Sequence, residues 1–384
     1  MDFWDNFIGE TESLIRAEAK KFAEQEIRPN VVEWEEQGLF PRELYAKAAG
    51  AGLLGTGFDE EYGGAGGGAI ESVMVVEGLM YGGSTGVSAG LLSSGIALPP
   101  IVELGSEELI ERYVEPTLAG ELVSALAVTE PGAGSDVSNV RTRAERDGDE
   151  YVVNGSKMFI TSGVRADFIT TLVRTGEDPH GGLSFLVIPA DLEGVDTSKS
   201  LKKTGWCASD TARISFDDVR VPADHLLGSE GAGFIGLMRN FQNERLALAA
   251  YGEATAQVAL EEAEDYVEER RAFGRPISGF QVNRHKLADM ATRVMSARTF
   301  VYQVAERMDR KEYRVKEVSM AKNLCAQLAV DVTYEAVQLH GGMGYMRETM
   351  VERLSRDARL LPIGGGTQEI MKEIIAKEAG WGER

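Results

Sequence analysis

Cysteine and histidine are scarce in this sequence, which limits the chemistry that the chain can support. Among 384 residues there are two cysteines, Cys207 and Cys325, which lie far apart and form no CxxC pair. A disulfide framework or a zinc site is therefore not expected. The four histidines stand in separate sequence contexts. We accordingly expect neither a metal site nor a serine-based catalytic triad.

Positive charge and long apolar runs are also lacking. The chain has 40 lysine and arginine residues against 61 aspartate and glutamate residues, a net charge of −21. This balance argues against binding to nucleic acid or to an anionic membrane surface. The least polar stretch, SAGLLSSGIALPPIV, is interrupted by serines and two prolines, so no membrane span is predicted. The first residues, MDFWDNFIGETESL, have no signal- or transit-peptide character, which predicts a cytoplasmic location.

What is present is a globular composition, with 43% hydrophobic and 26% charged residues, arranged in three parts. Residues 1–120 show helical periodicity, residues 121–227 form short β-branched segments separated by Gly, Asp and Asn, and residues 228–384 are helical again. We therefore predict a mainly α protein with a central β domain, a small barrel or sandwich, followed by an antiparallel helical bundle. The long helices of that bundle are predicted over residues 235–272, 280–310, 313–340 and 367–379.

Two glycine-rich stretches are the strongest candidates for a functional site. AVTEPGAGSDVSNVRT, residues 127–142, follows a strand, and its turn is rich in backbone N–H groups and small hydroxyls that can approach a flat ring or a phosphate. PIGGGTQEI, residues 362–370, places three glycines directly before a helix. Taken alone, the first stretch is equally consistent with a tight surface turn. Loops of this kind, with isolated carboxylates and no triad, are typical of an enzyme whose cofactor supplies the chemistry.

Several motifs together resemble the acyl-CoA dehydrogenase family. TEPGAGSD is followed by NGSKMFITSG, and then GAGFIGLMRNF, ERRAFGRPISGFQ, QLHGGMGYM, SRDARLLPI and GGTQEIMKEII occur in the family's order over nearly the whole chain. The resemblance implies an N-terminal helical domain, a middle β-barrel and a C-terminal four-helix bundle. It also implies oxidation of an acyl-CoA to a trans-2-enoyl-CoA, in which a proton leaves Cα and a hydride leaves Cβ for flavin N5.

The same resemblance implies that FAD binds between the β domain and the C-terminal helices. Thr129 would hydrogen-bond the isoalloxazine, Thr161 would lie near its N5 edge, and Arg270 would neutralise the pyrophosphate of FAD in a neighbouring subunit. Phe159 stands where many relatives carry tryptophan, which keeps an aromatic ring but removes the indole donor. FAD shared between subunits implies an oligomer, in this family usually a homotetramer. The FAD-binding residues implied are Leu126, Val128, Thr129, Gly134, Ser135, Phe159, Ile160, Thr161, Arg270, Phe273, Phe280, Gln281, Gln338, Gly341, Gly342, Thr367 and Glu369.

The chain departs from the commonest family pattern at the catalytic base. Medium- and short-chain members carry that base as the glutamate of a YEGT motif, where this sequence has Gly365 between two further glycines. Long-chain and isovaleryl-CoA enzymes carry it on a long helix in an ERL context, and NFQNERLALAA places Glu244 at that position. We therefore expect Glu244 to remove the α-proton and the Gly365 N–H to polarise the thioester carbonyl. Two alternatives remain, a non-catalytic flavoprotein subunit and an acyl-CoA oxidase, although oxidase chains are usually much longer.

The acyl group is the least determined feature. The glycines at positions 364 and 365 replace the tyrosine and glutamate of the commoner motif. The acyl-binding slot, the part of the site that surrounds the α and β carbons of the acyl chain, should therefore be wider. This favours a long- or branched-chain acyl-CoA, with a short branched, isovaleryl-type substrate as the alternative. The family passes its electrons to electron-transfer flavoprotein, which is the partner implied. Substrate-binding roles are expected for Ser135, Gln242, Asn243, Arg245, Gly364 and Gly366.

Overall fold

The computed structural model describes residues 8–312 and 314–382, and its helices and strands follow the predicted helix–strand–helix order. The helices are α1 (Glu10–Phe22), α2 (Val31–Gln37), α3 (Glu43–Gly50), α4 (Ala69–Leu79), α5 (Thr85–Leu91), α6 (Ser94–Ala97), α7 (Pro99–Leu104), α8 (Glu107–Leu109), α9 (Glu115–Leu118), α10 (Gly233–Glu269), α11 (Gln281–Asp309), α12 (Val315–His340), α13 (Met350–Ala358) and α14 (Gln368–Glu378). The strands are β1 (Ser124–Ala127), β2 (Arg143–Asp147), β3 (Glu150–Thr161), β4 (Phe168–Arg174), β5 (Leu183–Pro189), β6 (Val195–Ser200), β7 (Thr211–Pro222), β8 (Leu226–Leu227), β9 (Arg271–Ala272) and β10 (Arg275–Pro276).

The N-terminal helices pack around α4, which is buried along most of its length. Helix α1 can lie directly against α4 because Gly78 has no side chain; a Cβ there would lie 2.6 Å from the carbonyl oxygen of Arg16. Next to Gly78 in the sequence, Glu77 accepts a hydrogen bond of 3.2 Å from Arg298 of α11, and both side chains are buried. Helix α4 thus joins the N-terminal helices to the C-terminal bundle.

The middle domain is a single sheet in the order β6-β7-β3-β2-β4-β5-β8, with β1 paired in parallel beside β4. The strands predicted from β-branched segments are confirmed as β1, β3, β4, β5 and β7. Strands β2 and β6 were not predicted. Their sequences, RAERD and VDTSKS, are mostly charged or polar because most of their side chains are exposed, so they lack the alternation of apolar and polar residues that identifies a half-buried strand.

The C-terminal domain confirms the predicted long helices as α10, α11 and α12, with α14 at the end. Helices α10 and α12 cross closely at Gly252, where a Cβ would lie 2.6 Å from the carbonyl oxygen of Cys325. Helix α13 was not predicted, because its sequence, MVERLSRDA, carries charged residues on its buried side. Arg353 is buried there and donates a hydrogen bond of 2.6 Å to the carbonyl of Gly83.

Asp357 of the same helix joins all three domains. Its carboxylate accepts hydrogen bonds from the backbone N–H of Thr85, at 3.1 Å, and from that of Trp206, which follows β6. Burial raises the pKa of Asp357 to about 7, against the effect of these bonds and of the nearby arginines. The contact fixes Trp206, whose side chain forms part of the cavity described below.

No individual helix within residues 8–312 and 314–382 has the length and apolarity needed to cross a membrane. Helix α5 and the segment Ser94–Leu104 meet that test only as a pair, bent by 50° at the break between them.

Two helical glycines allow a stability test of the packing between α10 and α12. Gly252→Ala should lower the free energy of unfolding by about 1–3 kcal/mol, because the new methyl group overpacks a backbone contact. Gly50→Ala is the matched control. Gly50 lies in α3, and a Cβ there would have no atom within 4 Å, so alanine should stabilise the protein by about 0.4–1 kcal/mol. Urea unfolding of the two variants measures both effects, and equal unfolding free energies would contradict the packing described.

Candidate active site

A cavity of about 1370 Å³ lies where the three domains meet. Its walls come from α4, the loop after β1, the end of β3, the first half of α10 and the loop before α14. Typical small-molecule sites measure about 300–1,000 Å³, so this cavity has room for two ligands side by side. The predicted site residues that line it are Leu126, Val128, Thr129, Gly134, Ser135, Phe159, Ile160, Thr161, Asn243, Glu244, Arg245, Gly364, Gly365, Gly366 and Thr367.

The loop after β1 is held from beneath by a buried ion pair. Lys157 of β3 is fully buried and donates to the carbonyl of Val128, at 3.1 Å, and to the carboxylate of Glu130, at 2.9 Å. Glu130 also accepts the backbone N–H groups of residues 141 and 142. Burial lowers the pKa of Lys157 to about 8, although Glu130 acts in the opposite direction. Because each charge satisfies the other, the stretch around Thr129 is fixed against the sheet; its carbonyl accepts the N–H of Met158 at 2.8 Å.

The end of β3 presents an aromatic ring to the cavity. The register of β3 against β7 shifts between Lys157 and Ile160, and Phe159 adopts φ +63°, a conformation that residues with side chains rarely take. As a result the Phe159 side chain is 66% exposed and lines the cavity, whereas Ile160 beside it is buried. The hydroxyl-bearing Thr161 follows in the same wall. A large aromatic ring that is 66% exposed inside a cavity is a surface that suits a flat ligand.

These residues fit the FAD that the sequence resemblance implies. The exposed face of Phe159 suits an isoalloxazine ring, and the hydroxyls of Thr129 and Thr161 line the same cavity and can bond its polar edge. At Gly134 a Cβ would have no atom within 4 Å, so the turn leaves open space beside these groups.

Glu244 and the glycine loop meet on the other side of the cavity. Glu244 lies on α10, is half-buried and lines the cavity. A Cβ on Gly365 would lie 3.3 Å from Glu244 Oε1 and 2.1 Å from Leu248 Cδ1. The carboxylate therefore stands beside the point from which a side chain at position 365 would start. Leu248, one turn further along α10, fills the remaining space, so a glutamate could not occupy position 365 without displacing it.

The environment of Glu244 is suited to a base. Burial raises the pKa of Glu244 above its ordinary value, and the positive charges of Arg245 and Lys322 oppose this shift without reversing it. Burial likewise lowers the pKa of Arg245, with Glu244 acting in the opposite direction. A carboxylate with a raised pKa binds a proton more strongly than one in water, as proton abstraction from carbon requires.

The glycine loop is anchored to α12. Gly365 has φ +60° and Gly366 has φ +93°, values that favour glycine. Lys322 of α12 donates a hydrogen bond to the carbonyl of Gly366. Thr367 then caps α14 by accepting the N–H of Ile370 at 3.3 Å. The N–H of Gly365 takes part in no backbone hydrogen bond within the described residues, so it remains able to bind a ligand.

Of the three predicted substrate-binding residues closest to Glu244 in the sequence, two line the cavity and one does not. Asn243 is exposed and lines the cavity, and Arg245 lines it while its guanidinium lies 5.7 Å from the Phe241 ring. Gln242 points elsewhere; its amide is buried and donates to the carbonyl of Met238 at 3.1 Å, outside the cavity lining. A direct contact between Gln242 and a substrate would need a different side-chain position.

The remaining predicted FAD residues lie outside this cavity. Phe273 is 95% exposed, Phe280 packs against it at 6.1 Å between ring centroids, and the others are exposed at the surface of the chain. That placement is what a contact with FAD of a neighbouring subunit would require, and the role stays a prediction. These residues are Arg270, Phe273, Phe280, Gln281, Gln338, Gly341, Gly342 and Glu369.

Sequence reasoning missed Lys322. It lies on the buried face of α12 with Val318, Cys325 and Ala329, at the helical spacing expected of core positions. A lysine at such a position is a signal that periodicity alone could have revealed, because an ammonium group is rarely buried without a specific partner.

Comparisons with known proteins cover all three domains. Residues 9–121, 125–219 and 231–380 match the acyl-CoA dehydrogenase N-terminal, middle and C-terminal domains, respectively. The chain is 40% identical over 368 residues to the mitochondrial long-chain specific acyl-CoA dehydrogenase of Sus scrofa, covering 95% of this chain and 85% of that protein. It is 36% identical over 374 residues to the CarC subunit of the caffeyl-CoA reductase-Etf complex of Acetobacterium woodii, covering 96% and 98% of the two chains. The crystal structure of a probable acyl-CoA dehydrogenase from Mycobacterium abscessus is 54% identical, with a TM-score of 0.96 over 97% of this chain and 100% of that chain.

The ion pair beneath the loop after β1 can be tested by removing one partner. Lys157→Met leaves the Glu130 carboxylate buried without its cation, so the free energy of unfolding should fall by about 3–5 kcal/mol, and FAD should be retained less well during gel filtration. Adding Glu130→Gln to this variant removes the unpaired charge and should recover part of the loss. Lys199→Met, at an exposed lysine of β6, is the control and should unfold like the parent protein. Unchanged stability of Lys157→Met would refute a structural role for the pair.

Proposed function

This chain belongs to the acyl-CoA dehydrogenase family, and we propose that it converts a long- or branched-chain acyl-CoA to the trans-2-enoyl-CoA with Glu244 as the base. It is an FAD-dependent oxidoreductase, as its family is. The observation that supports the base assignment best is the placement of the Glu244 carboxylate, 3.3 Å from where a side chain on Gly365 would begin.

The two walls of the cavity carry the groups that the two halves of the proposed reaction need. FAD, when bound, supplies the acceptor for the hydride that leaves Cβ. Thr129, Phe159 and Thr161 would hold it on one side, and Glu244 stands on the other side beside Gly365. A substrate between the walls would present Cα to the carboxylate and Cβ to the opposite face. Such an arrangement fixes the two bonds that break in the correct relative orientation.

The α-proton of a thioester is a weak acid, so the residues around it have to favour its removal. Glu244 is ready to accept it because burial strengthens the carboxylate as a base while two cations keep the ionised form accessible. The negative charge that develops on the thioester oxygen needs a donor, and the N–H of Gly365 is available for that purpose. Apolar side chains of α10 in the same cavity, Leu246 and Leu248, limit access of water to the reacting carbons.

The proposed acyl group follows from the shape of the glycine loop. A Cβ on Gly364 would make only ordinary van der Waals contact, 3.8 Å from Leu360, so a glycine there leaves the space of a side chain to a ligand. The cavity is also lined by the apolar side chains of Val73, Val76 and Ala89. A wide apolar slot suits a long or methyl-branched chain, and the porcine relative is named for long-chain substrates. A short branched, isovaleryl-type acyl group is the alternative for the same site.

Electron-transfer flavoprotein is the proposed electron acceptor, in keeping with the name of the Acetobacterium relative, which is part of a complex with Etf. A homotetramer in which neighbouring subunits share FAD would explain why Arg270, Phe273 and Gln281 are exposed on this chain. The role in fatty-acid β-oxidation and the cytoplasmic location also stay proposals.

Replacement of the base gives the first test. Glu244→Gln keeps the shape of the side chain but cannot accept the α-proton, so anaerobic loss of flavin absorbance on adding acyl-CoA should slow by about 10²- to 10⁴-fold, with FAD still bound. The variant should unfold at the same or a higher temperature at neutral pH, because a carboxyl group with a raised pKa destabilises the fold progressively as pH rises from its ordinary pKa through the raised one. Glu373→Gln, at an exposed glutamate of α14, should behave as the parent enzyme. Near-normal reduction of Glu244→Gln would reject the assignment.

An acyl-CoA panel tests the substrate class. Each methylene buried in an apolar slot contributes about 0.8 kcal/mol, or roughly a fourfold rise in kcat/KM, until the slot is full. We expect kcat/KM to rise from butyryl-CoA towards long chains, and 2- or 3-methyl substrates to be accepted. Steady-state assays with an artificial electron acceptor give these values. A sharp optimum at straight-chain C4 would contradict the proposal.

A further inference from the structure

Lys322 occupies an unusual position for a lysine. It lies on α12, its side chain is fully buried, and its neighbours on the same helix face are apolar. Removing an ammonium group from water is unfavourable by several kcal/mol unless a partner compensates. Within the described residues it makes one hydrogen bond, to the carbonyl of Gly366 in the glycine loop. A charged group buried beneath the glycine loop despite this desolvation cost is expected to have a functional role.

We propose that Lys322 is a positioning residue for proton abstraction: it fixes the Gly365–Gly366 backbone through the Gly366 carbonyl and places a positive charge near the Glu244 carboxylate. This inference rests on the proposed function of Glu244 as the base. It assigns to one buried side chain both the geometry of the thioester-facing N–H and the charge state of the base.

The first role follows from the contacts of the loop. Gly365 and Gly366 both have positive φ, and glycine is the residue whose backbone is least restrained by its own side chain. The bond from Lys322 therefore supplies a restraint that the sequence of the loop lacks. Next to it on α12, Asn323 donates to the carbonyl of Gln368 at 3.2 Å, so two consecutive side chains of α12 bind the backbone where the loop enters α14. Binding of the Gly366 carbonyl to α12 restricts the motion of the loop, and with it that of the Gly365 N–H two peptide units earlier.

The second role follows from the same geometry, because Lys322 binds the carbonyl of Gly366 and the Cβ position of the adjacent Gly365 lies 3.3 Å from Glu244 Oε1. Arg245 of α10 and Lys322 of α12 both favour the ionised carboxylate, and Glu369 of α14 acts on Lys322 in turn. Burial lowers the pKa of Lys322 to about 8, and Glu244 is the largest influence in the opposite direction. Lys322 is thus mainly charged at neutral pH. Without it, burial would hold Glu244 protonated up to a higher pH, and a protonated carboxyl cannot act as the base.

Three substitutions separate the two roles. Lys322→Met removes the charge and the donor, Lys322→Gln removes the charge but keeps an N–H donor, and Lys322→Arg keeps both. Lys316→Met, at a partly exposed lysine earlier on α12, is the matched control. The acidic limb of the pH profile of kcat/KM reports the ionisation of the base in the free enzyme. Infrared difference spectra of the carboxylic C=O stretch, assigned by its loss in Glu244→Gln, measure the same ionisation without turnover.

The proposal predicts that the acidic limb and the infrared titration of Glu244 both move to higher pH in Lys322→Met and Lys322→Gln. In Lys322→Arg and Lys316→Met, the acidic limb and the infrared titration should occur at the same pH as in the parent enzyme. Loss of the loop restraint should in addition slow flavin reduction by Lys322→Met by about 10- to 100-fold at the pH of its own optimum, with a smaller loss in Lys322→Gln.

An unchanged infrared titration of Glu244, together with an unchanged limb, in both charge-removing variants would overturn the proposal, because a purely structural lysine changes stability or rate but not the titration. If Lys322→Met does not fold, the Gln and Arg variants still decide the question. Failure of the proposed function looks different: Glu244→Gln would then remain active, and the infrared titration of Glu244 would still respond to Lys322 while the limb of kcat/KM did not.

Discussion

The site depends on one electrostatic constraint: a carboxylate has to be held out of water, yet ionised, beside a loop that carries no side chains. Burial makes Glu244 a stronger base, and Arg245 and Lys322 limit how far that effect goes. Position 365 suits glycine because Glu244 and Leu248 already occupy the space that a side chain there would need. The base on α10 and the glycines before α14 are therefore two parts of one arrangement, since restoring a side chain to the loop would displace the helix residues.

The surrounding architecture keeps that arrangement rigid by burying further charges with their partners. Lys157 and Glu130 fix the loop on the opposite wall, and Asp357 connects backbone groups from all three domains near Trp206. A buried charge destabilises a fold when its partner is missing, so each of these contacts defines one geometry rather than adding much stability. Positioned groups of this kind are what a proton abstraction from carbon needs, because a displacement of about 1 Å can slow catalysis by about 100-fold.

The fold was largely predictable, because α10, α11 and α12 show helical periodicity and the strands β3, β4, β5 and β7 are β-branched segments separated by Gly, Asp and Asn. Strands β2 and β6 and helix α13 were not, since exposed or buried charges mask the periodicity. The family motifs brought together the cavity residues from Leu126 to Thr161 and the pair Glu244 and Gly365. The apolar spacing of α12 could have drawn attention to Lys322, but its partner, a backbone carbonyl 44 residues away, is recorded in no local pattern. The surface residues around Phe273 lie beyond what one chain can place, because their predicted ligand belongs to a neighbouring subunit.

Exchange of the α-proton tests the central claim without hydride transfer. An acyl-CoA analogue with sulfur in place of the β-carbon has no β-hydride to lose, so in deuterated buffer only the base can act on it, and mass spectrometry follows deuterium at Cα. The account predicts steady exchange by the parent enzyme and by the exposed-residue variant Glu373→Gln, and none above the uncatalysed rate by Glu244→Gln with the analogue bound. Exchange by Glu244→Gln at a rate close to that of the parent enzyme would show that another group is the base.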